Sequence, residues 1–177
     1  STPTINSKNQ VVTEEKYVLS DSVEIAWEEY RIYADYAEYN FKTKKIIAQG
    51  RVTMTSGETV LSGERLSFDL NERTGVMYDT YGQMAPTLRY KTDKLEQVDN
   101  DTLKFKKLEF TSCAQCTPRW KITCSKGKIK KEKYIEMTHA IIKVKNIPLF
   151  YIPYMRYPVT SDGKASGFLF PKIGRSD

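Results

Sequence analysis

The sequence is poor in the groups on which most enzyme chemistry rests. It contains one histidine, three cysteines, two tryptophans and 9 glycines in 177 residues. A single imidazole leaves little scope for a Ser/His/Asp set, and His139 sits in Glu136-Met137-Thr138-His139-Ala140, beside no nucleophile motif. Gly-x-Ser-x-Gly, the phosphate-binding P-loop and the dinucleotide fingerprint are missing, so neither an enzyme nor a cofactor is expected. No uncharged apolar run reaches the roughly 18 residues of a membrane-spanning helix, and no signal peptide stands at residue 1. Charge of one sign is also scarce. Lys+Arg 28 against Asp+Glu 22 gives +6, too little for a dedicated nucleic-acid binder but enough to favour anionic partners. Ser1-Thr2-Pro3 reads as a processed or trimmed start. Hydrophobic residues at 40% and charged residues at 28% exclude disorder, collagen and coiled coil, and leave a chain able to fold.

What is present is alternation. Ile46, Ala48, Val52 and Met54 hold even positions with Gln49, Arg51, Thr53 and Thr55 between them. A run from Val60 places Leu66, Phe68 and Leu70 on one face and Arg65, Ser67 and Asp69 on the other. Trp120 and Ile122, Ile135 and Met137, and Ile142 and Val144 each alternate with polar residues. This is the pattern of half-buried antiparallel strands. Turn residues punctuate it at Asn40-Phe41-Lys42-Thr43, Ser56-Gly57, Asn71 to Gly75, Asp99-Asn100-Asp101 and Gly127. Val23, Ala26, Trp27 and Tyr30 match helical spacing, but residues 30–41 return at once to aromatic-rich strand sequence. The chain reads as all-β.

A weak internal repeat joins Ala34-Asp35 and Gly50-Arg51-Val52 to Leu61-Ser62-Gly63-Glu64 and the following strand with Val76, as in a stack of similar hairpins. Pro148, Pro153 and Pro158 then crowd a segment with Phe150, Tyr151, Tyr154 and Tyr157. Proline at that density does not suit a central ladder. The β-domain is therefore expected to end near Asn146, with residues 1–30 an extension and lead-in strand, 31–146 the domain and 147–166 a stiff connector. Gly167-Phe168-Leu169-Phe170-Pro171 resumes strand-like sequence with no room for a partner, as in a piece cut from a longer chain.

Cys113, Cys116 and Cys124 are disulfide candidates of undetermined pairing. A metal site using His139 lacks the second paired knuckle of structural zinc, and a redox Cys-x-x-Cys lacks a helix to start. Lysines cluster at Lys104, Lys106 and Lys107 and again from Lys121 to Lys133, as a solvated face or as an attraction for phosphate headgroups. Leu103, Phe105, Phe110, Trp120 and Ile122 form an interior row; periodicity does not separate a filled core from an open apolar groove, and on the pattern alone a filled core is favoured.

Ala34-Asp35, Gly50-Arg51-Val52, Phe110-Thr111-Ser112-Cys113, Pro118-Arg119-Trp120-Lys121-Ile122, the proline–aromatic stretch from Ile147 to Pro158 and Ser166-Gly167-Phe168-Leu169-Phe170-Pro171 together resemble the lipopolysaccharide-assembly outer-membrane family, LptD or OstA, from residue 32 to the end. The resemblance implies an open twisted β-jelly-roll on the periplasmic face of the outer membrane, followed by a β-barrel whose first strand would begin in residues 167–177. Pro171, lacking a ladder donor, would weaken pairing at the barrel's gate. The family implies lipopolysaccharide as cargo, a periplasmic bridge protein of the same fold joined by edge-strand addition, and a lipoprotein plug in the barrel. Its disulfides link this domain to the barrel, whereas Cys116 and Cys124 lie close to Cys113 here. On this reading Ile46, Ala48, Val52, Met54 and Val60 line a lipid groove, with Leu66, Phe68, Val76 and Leu103. Phe105, Phe110, Trp120 and Ile122 are its strongest members, and Ile135, Met137, Ile142 and Val144 complete it. The alternative is a closed-core interaction module that only docks partners.

Overall fold

The structure, a computed structural model, describes residues 1–57, 59–85, 88–112 and 119–158. Among these residues the regular elements are all strands. They are β1 (Thr4–Asn6), β2 (Asn9–Val12), β3 (Lys16–Trp27), β4 (Tyr30–Asn40), β5 (Lys45–Ser56) and β6 (Thr59–Asp69), then β7 (Thr74–Ala85), β8 (Leu88–Gln97), β9 (Thr102–Ser112), β10 (Trp120–Lys130), β11 (Tyr134–Val144) and β12 (Ile147–Pro158). All join one 12-stranded antiparallel sheet that runs in chain order from β3 to β12. β1 and β2 share the outer side of β3, pairing with its second and first halves respectively. The all-β class expected from the alternation is the observed one, and the single open antiparallel sheet agrees with the open jelly-roll that the resemblance implies.

A line of irregularity crosses the sheet at mid-strand. Asp21 and Ser22 on β3, Gly50 and Arg51 on β5, Asp79 on β7, Lys107 on β9 and His139 on β11 all have positive φ. Register places the intervening residues Asp35, Glu64, Asp93, Ser125 and Pro153 in the same row. On β3 two residues oppose one on β4, and on β5 two oppose one on β6, so these are bulges. Left-handed residues on alternate strands bend each hairpin at the same height and fold the sheet along a crease. Small or compact residues occupy its concave side: Val23 pairs with Ala34, Val52 with Gly63, Thr80 with Thr92, and Ala140 with Ile152. Such residues allow the two half-sheets to approach without side chains colliding.

The fold across the crease is visible in contacts between strands that are not neighbours. Trp27 and Tyr30, at one end of their hairpin, each lie 5.8 Å from the ring of Phe68 on the other half-sheet. Arg73, in the turn before β7, donates to Glu28 at 3.0 Å and lies 5.1 Å from the Trp27 ring. These contacts clip the tip of one half-sheet to the tip of the other.

The segment expected as a connector is different over Ile147–Pro158, which forms the full-length edge strand β12 against β11. Its prolines are compatible with that place. Pro153 sits at the crease, Pro148 at a shift of register, and an edge strand has only one paired side. The tail expected to begin a barrel strand, Pro171 included, lies outside the described residues.

Asp35 fixes the crease from outside. Arg51 Nη2 donates to its carboxylate at 2.7 Å and Nε at 3.1 Å, while a Cβ on Gly50 would stand 2.8 Å from Asp35 Oδ2. Gly50→Val should therefore lower stability in urea by about 2 kcal/mol or more, from left-handed strain plus displacement of the ion pair. Gly57→Ala, with φ +59 but open space around the added carbon, should lose only about 1 kcal/mol. The Arg51 guanidinium holds the Asp35 carboxyl below its usual 3.8. A depressed folded value means the pair stabilises fully above the unfolded value and loses that stabilisation as pH falls through the folded one. The gap in melting temperature between the natural chain and Asp35→Asn should be widest at neutral pH and close on acidification below about pH 4.

Candidate functional site

The inward side chains form rows that register carries from strand to strand. One row crosses the first half-sheet from Ile25 through Ile32, Met54, Leu61, Gly82 and Tyr90 to Phe110, Ile122, Ile142 and Phe150. Another crosses the second from Tyr39 through Ile46, Phe68, Gly75 and Gln97 to Leu103, Ile129, Ile135 and Tyr157. Burial falls along both. Ile25 and Tyr39 are 0% and 1% exposed, the β10 and β11 members are half-buried, and Phe150 and Tyr157 are 64% and 62% exposed. The floor of the crease remains closed throughout, with Cys124 and Ala140 buried on the same strands, as is Gly127 beyond it.

The interior is thus filled on one side and open on the other. A cavity of about 360 Å³ opens at the strand ends among Lys45, Phe68, Gly75 and Gln97, while two others between the half-sheets at β3 to β9 are small: about 10 Å³ among Ile25, Trp27, Tyr30 and Phe68, and about 30 Å³ among Met54, Leu66, Met77 and Leu103. Neither of the two small ones accommodates an acyl chain as it stands. From β10 to β12 the inner face becomes an apolar trough whose rim no other described strand covers. The filled part contains buried polar atoms as well, since the hydroxyls of Tyr39, Ser56, Thr80 and Tyr90 find no hydrogen-bond partner among the described residues. Burial pushes the Tyr30 phenol up to about 12 and raises that of Tyr90, so both remain neutral donors at physiological pH.

The expected lining residues divide accordingly. Ile46, Ala48, Val52, Leu66, Phe68, Leu103 and Phe105 face inward and are packed core, with Met54 and Phe110 partly buried against it. Trp120, Ile122, Ile135, Met137, Ile142 and Val144 face inward on the open side and are half-buried. Val60 and Val76 are corrections. Val60 is 50% exposed on the outer face, because the crease between Gly63 and Leu66 reverses the alternation and gives Leu61 the inward place. Val76 pairs with Ser67 and Glu96 in an outer row, while its neighbour Met77 faces in between Leu66 and Leu95. Periodicity alone had no sign of the reversal. The repeat held one: Asp35, Glu64 and Asp93 recur every 29 residues, each after a small inward residue.

Cys124 is a free thiol on the crease floor, pushed up to about 11 by burial, and so is neither a ready nucleophile nor part of a disulfide. Cys113 and Cys116 lie outside the described residues. His139 stands on the outer ridge with Nδ1 2.6 Å from the Tyr151 hydroxyl, and no metal-binding group of side chains occurs among the described residues.

An apolar trough inside a creased single sheet gives comparison with known proteins a definite object. LPS-assembly protein LptD of Shewanella oneidensis is 30% identical over 150 residues, covering 82% of this chain and 19% of that protein. The chain is a homologue of LptD. The LptD of Shewanella frigidimarina is 29% identical over 150 residues, again 82% of this chain and 19% of that protein. That of Nitrosomonas europaea is 27% identical over 145 residues, 81% of this chain and 20% of that protein. No protein-family model matches the chain. The chain spans about a fifth of the length of the curated LptD relatives it matches.

The division into filled and open parts sets a comparison of two phenylalanines at inward register. Phe68→Ala should cost about 3–5 kcal/mol, since the ring is buried between the half-sheets. Phe150→Ala should stay within about 0.5 kcal/mol of the natural chain. Urea denaturation of the two variants tests this, and equal losses would mean that the trough is as tightly packed as the core.

Proposed function

We propose that the chain carries lipopolysaccharide during outer-membrane assembly, its acyl chains shielded between the half-sheets and its sugars left in water. The relatives are named for that assembly, and the observation that carries the reading is the burial gradient of the inner rows. An interior that is mainly apolar, and that the described residues leave open toward β12, offers an amphiphile a dry face with an open side. Burial stabilises by about 0.8 kcal/mol per methylene, and a mixed aliphatic and aromatic lining on the open side lets chains slide rather than lodge. No covalent bond changes in such a passage.

On this reading the domain works at the periplasmic face of the outer membrane. It receives lipopolysaccharide from a bridge protein of the same fold that adds a strand to a sheet edge. It passes the lipid to a barrel with a lipoprotein plug. The small cavities at β3 to β9 favour the closed-core alternative for that part of the interior in its resting form. Passage there requires the half-sheets to part, which one continuous sheet hinged at a crease can do without breaking its ladder.

Photo-crosslinking side chains at Ile142, Trp120 and Phe105, with Lys121 on the outer face as control, test the proposal in cells making the full-length protein. Lipopolysaccharide adducts are expected at Ile142 and Trp120, at Phe105 during active transport, and not at Lys121. Absence of adducts at all three inward sites, in protein shown to be folded and inserted, would overturn it and leave the closed-core module.

A further inference from the structure

The outer face carries a feature that an internal apolar trough does not explain. Register aligns Lys94, Lys106 and Lys126 directly opposite one another on β8, β9 and β10, and the same row continues through Thr138 to Tyr154 on β12. Like charges directly opposed on neighbouring strands are destabilising. The adjacent row is balanced differently, running Glu96, Lys104, Lys128, Glu136 and Arg156, with Arg156 3.2 Å from Glu136. Lys94 has Glu96 at 3.8 Å, whereas Lys106 and Lys126 form no ion pair among the described residues.

Blunting of a sheet edge is the usual reason for such lysines, and it does not apply. β9 and β10 are paired on both sides, and the edge is β12. That edge is instead aromatic on the same outer face, where Tyr154 is 56% exposed and Tyr151 is similarly open. Beyond the row, Lys130, Lys131 and Lys133 extend the positive surface into the turn between β10 and β11. A basic face bordered by exposed tyrosines is complementary to a layer of phosphate headgroups with an apolar boundary beneath it.

We propose that the outer face of β9 to β12 docks on the surface of an anionic lipid bilayer, with Lys106 and Lys126 meeting headgroup phosphates and Tyr154 seated at headgroup depth. The inference rests on charge and register and stands whatever the interior carries.

The test is co-sedimentation of the chain with vesicles of phosphatidylethanolamine and phosphatidylglycerol, against vesicles of phosphatidylcholine alone. Binding is expected to the anionic vesicles and to fade as salt rises. Each basic side chain near such a surface contributes roughly a fivefold factor, so Lys106→Ser with Lys126→Ser should weaken binding about thirtyfold. Lys8→Ser with Lys42→Ser removes the same charge away from this face and should leave binding nearly unchanged. Both pairs are exposed, and a urea midpoint for each verifies folding.

Equal binding to both kinds of vesicle would overturn the proposal. Equal losses from the two variant pairs would also overturn it, assigning the effect to net charge. Release of the chain by soluble glycerol phosphate at matching phosphate concentration would do so too, indicating isolated phosphate sites rather than a bilayer surface.

Discussion

The sheet has an inside because its strands bend together. An antiparallel ladder of this width would otherwise be an open, twisted surface with one face wet and apolar. Residues in the left-handed region on alternate strands, placed at one height, turn ten strands over along a common line. The Asp35–Arg51 pair and Gly50 hold that line at the β5 bulge, where two successive residues have positive φ, and Ala34, Gly63, Thr80 and Ala140 keep its concave side narrow. Everything that the molecule can do with its interior depends on this geometry. The same crease divides β1 from β2 and gives Pro153 a place in an otherwise regular edge strand.

Closure then follows from the side chains available. At the N-terminal side large aromatic residues bridge the gap, with Trp27 and Tyr30 against Phe68 and Arg73 tied to Glu28 outside them. At the C-terminal side the inner rows continue with Ile122, Ile135, Met137 and Ile142, but β12 is the last strand and nothing among the described residues covers it. One sheet therefore contains a core and a trough without any boundary in the chain between them. The outer face has its own division, since Lys94, Lys107, Lys121 and Arg156 stand beside carboxylates whereas Lys106 and Lys126 form no ion pair among the described residues.

Much of this was legible in the sequence, and the failures share a cause. Alternation identified antiparallel strand sequence and the inward rows on β5, β9, β10 and β11, because period two survives wherever the backbone is regular, but it left β1 to β3 outside the domain and took Gly127, within β10, for a turn. It misplaced Val60 and Val76, since a row counted through a bulge comes out on the wrong face. It read Ile147–Pro158 as a connector, because proline is weighed against central strands while an edge strand tolerates it. Cys124 was grouped with Cys113 and Cys116 by spacing, whereas the crease floor, not the sequence interval, decides its surroundings. The division between core and trough was beyond periodicity altogether. It depends on how many strands lie to either side of a residue, and that is a property of topology.

The decline in burial from β3 to β12 is also a decline in local cooperativity. Resistance to sub-global opening follows the buried apolar contacts that an opening must break. By that measure the strands near β3, with their buried rows, resist opening more than β11 and β12 do. β11 and β12 hold to the sheet chiefly through their ladder bonds and the floor at Cys124 and Ala140. The molecule is thus graded from a rigid anchor at one end to a yielding lip at the other. Fluctuations at the lip cost little of the total folding free energy, so the trough can change width while the fold that supports it stays intact.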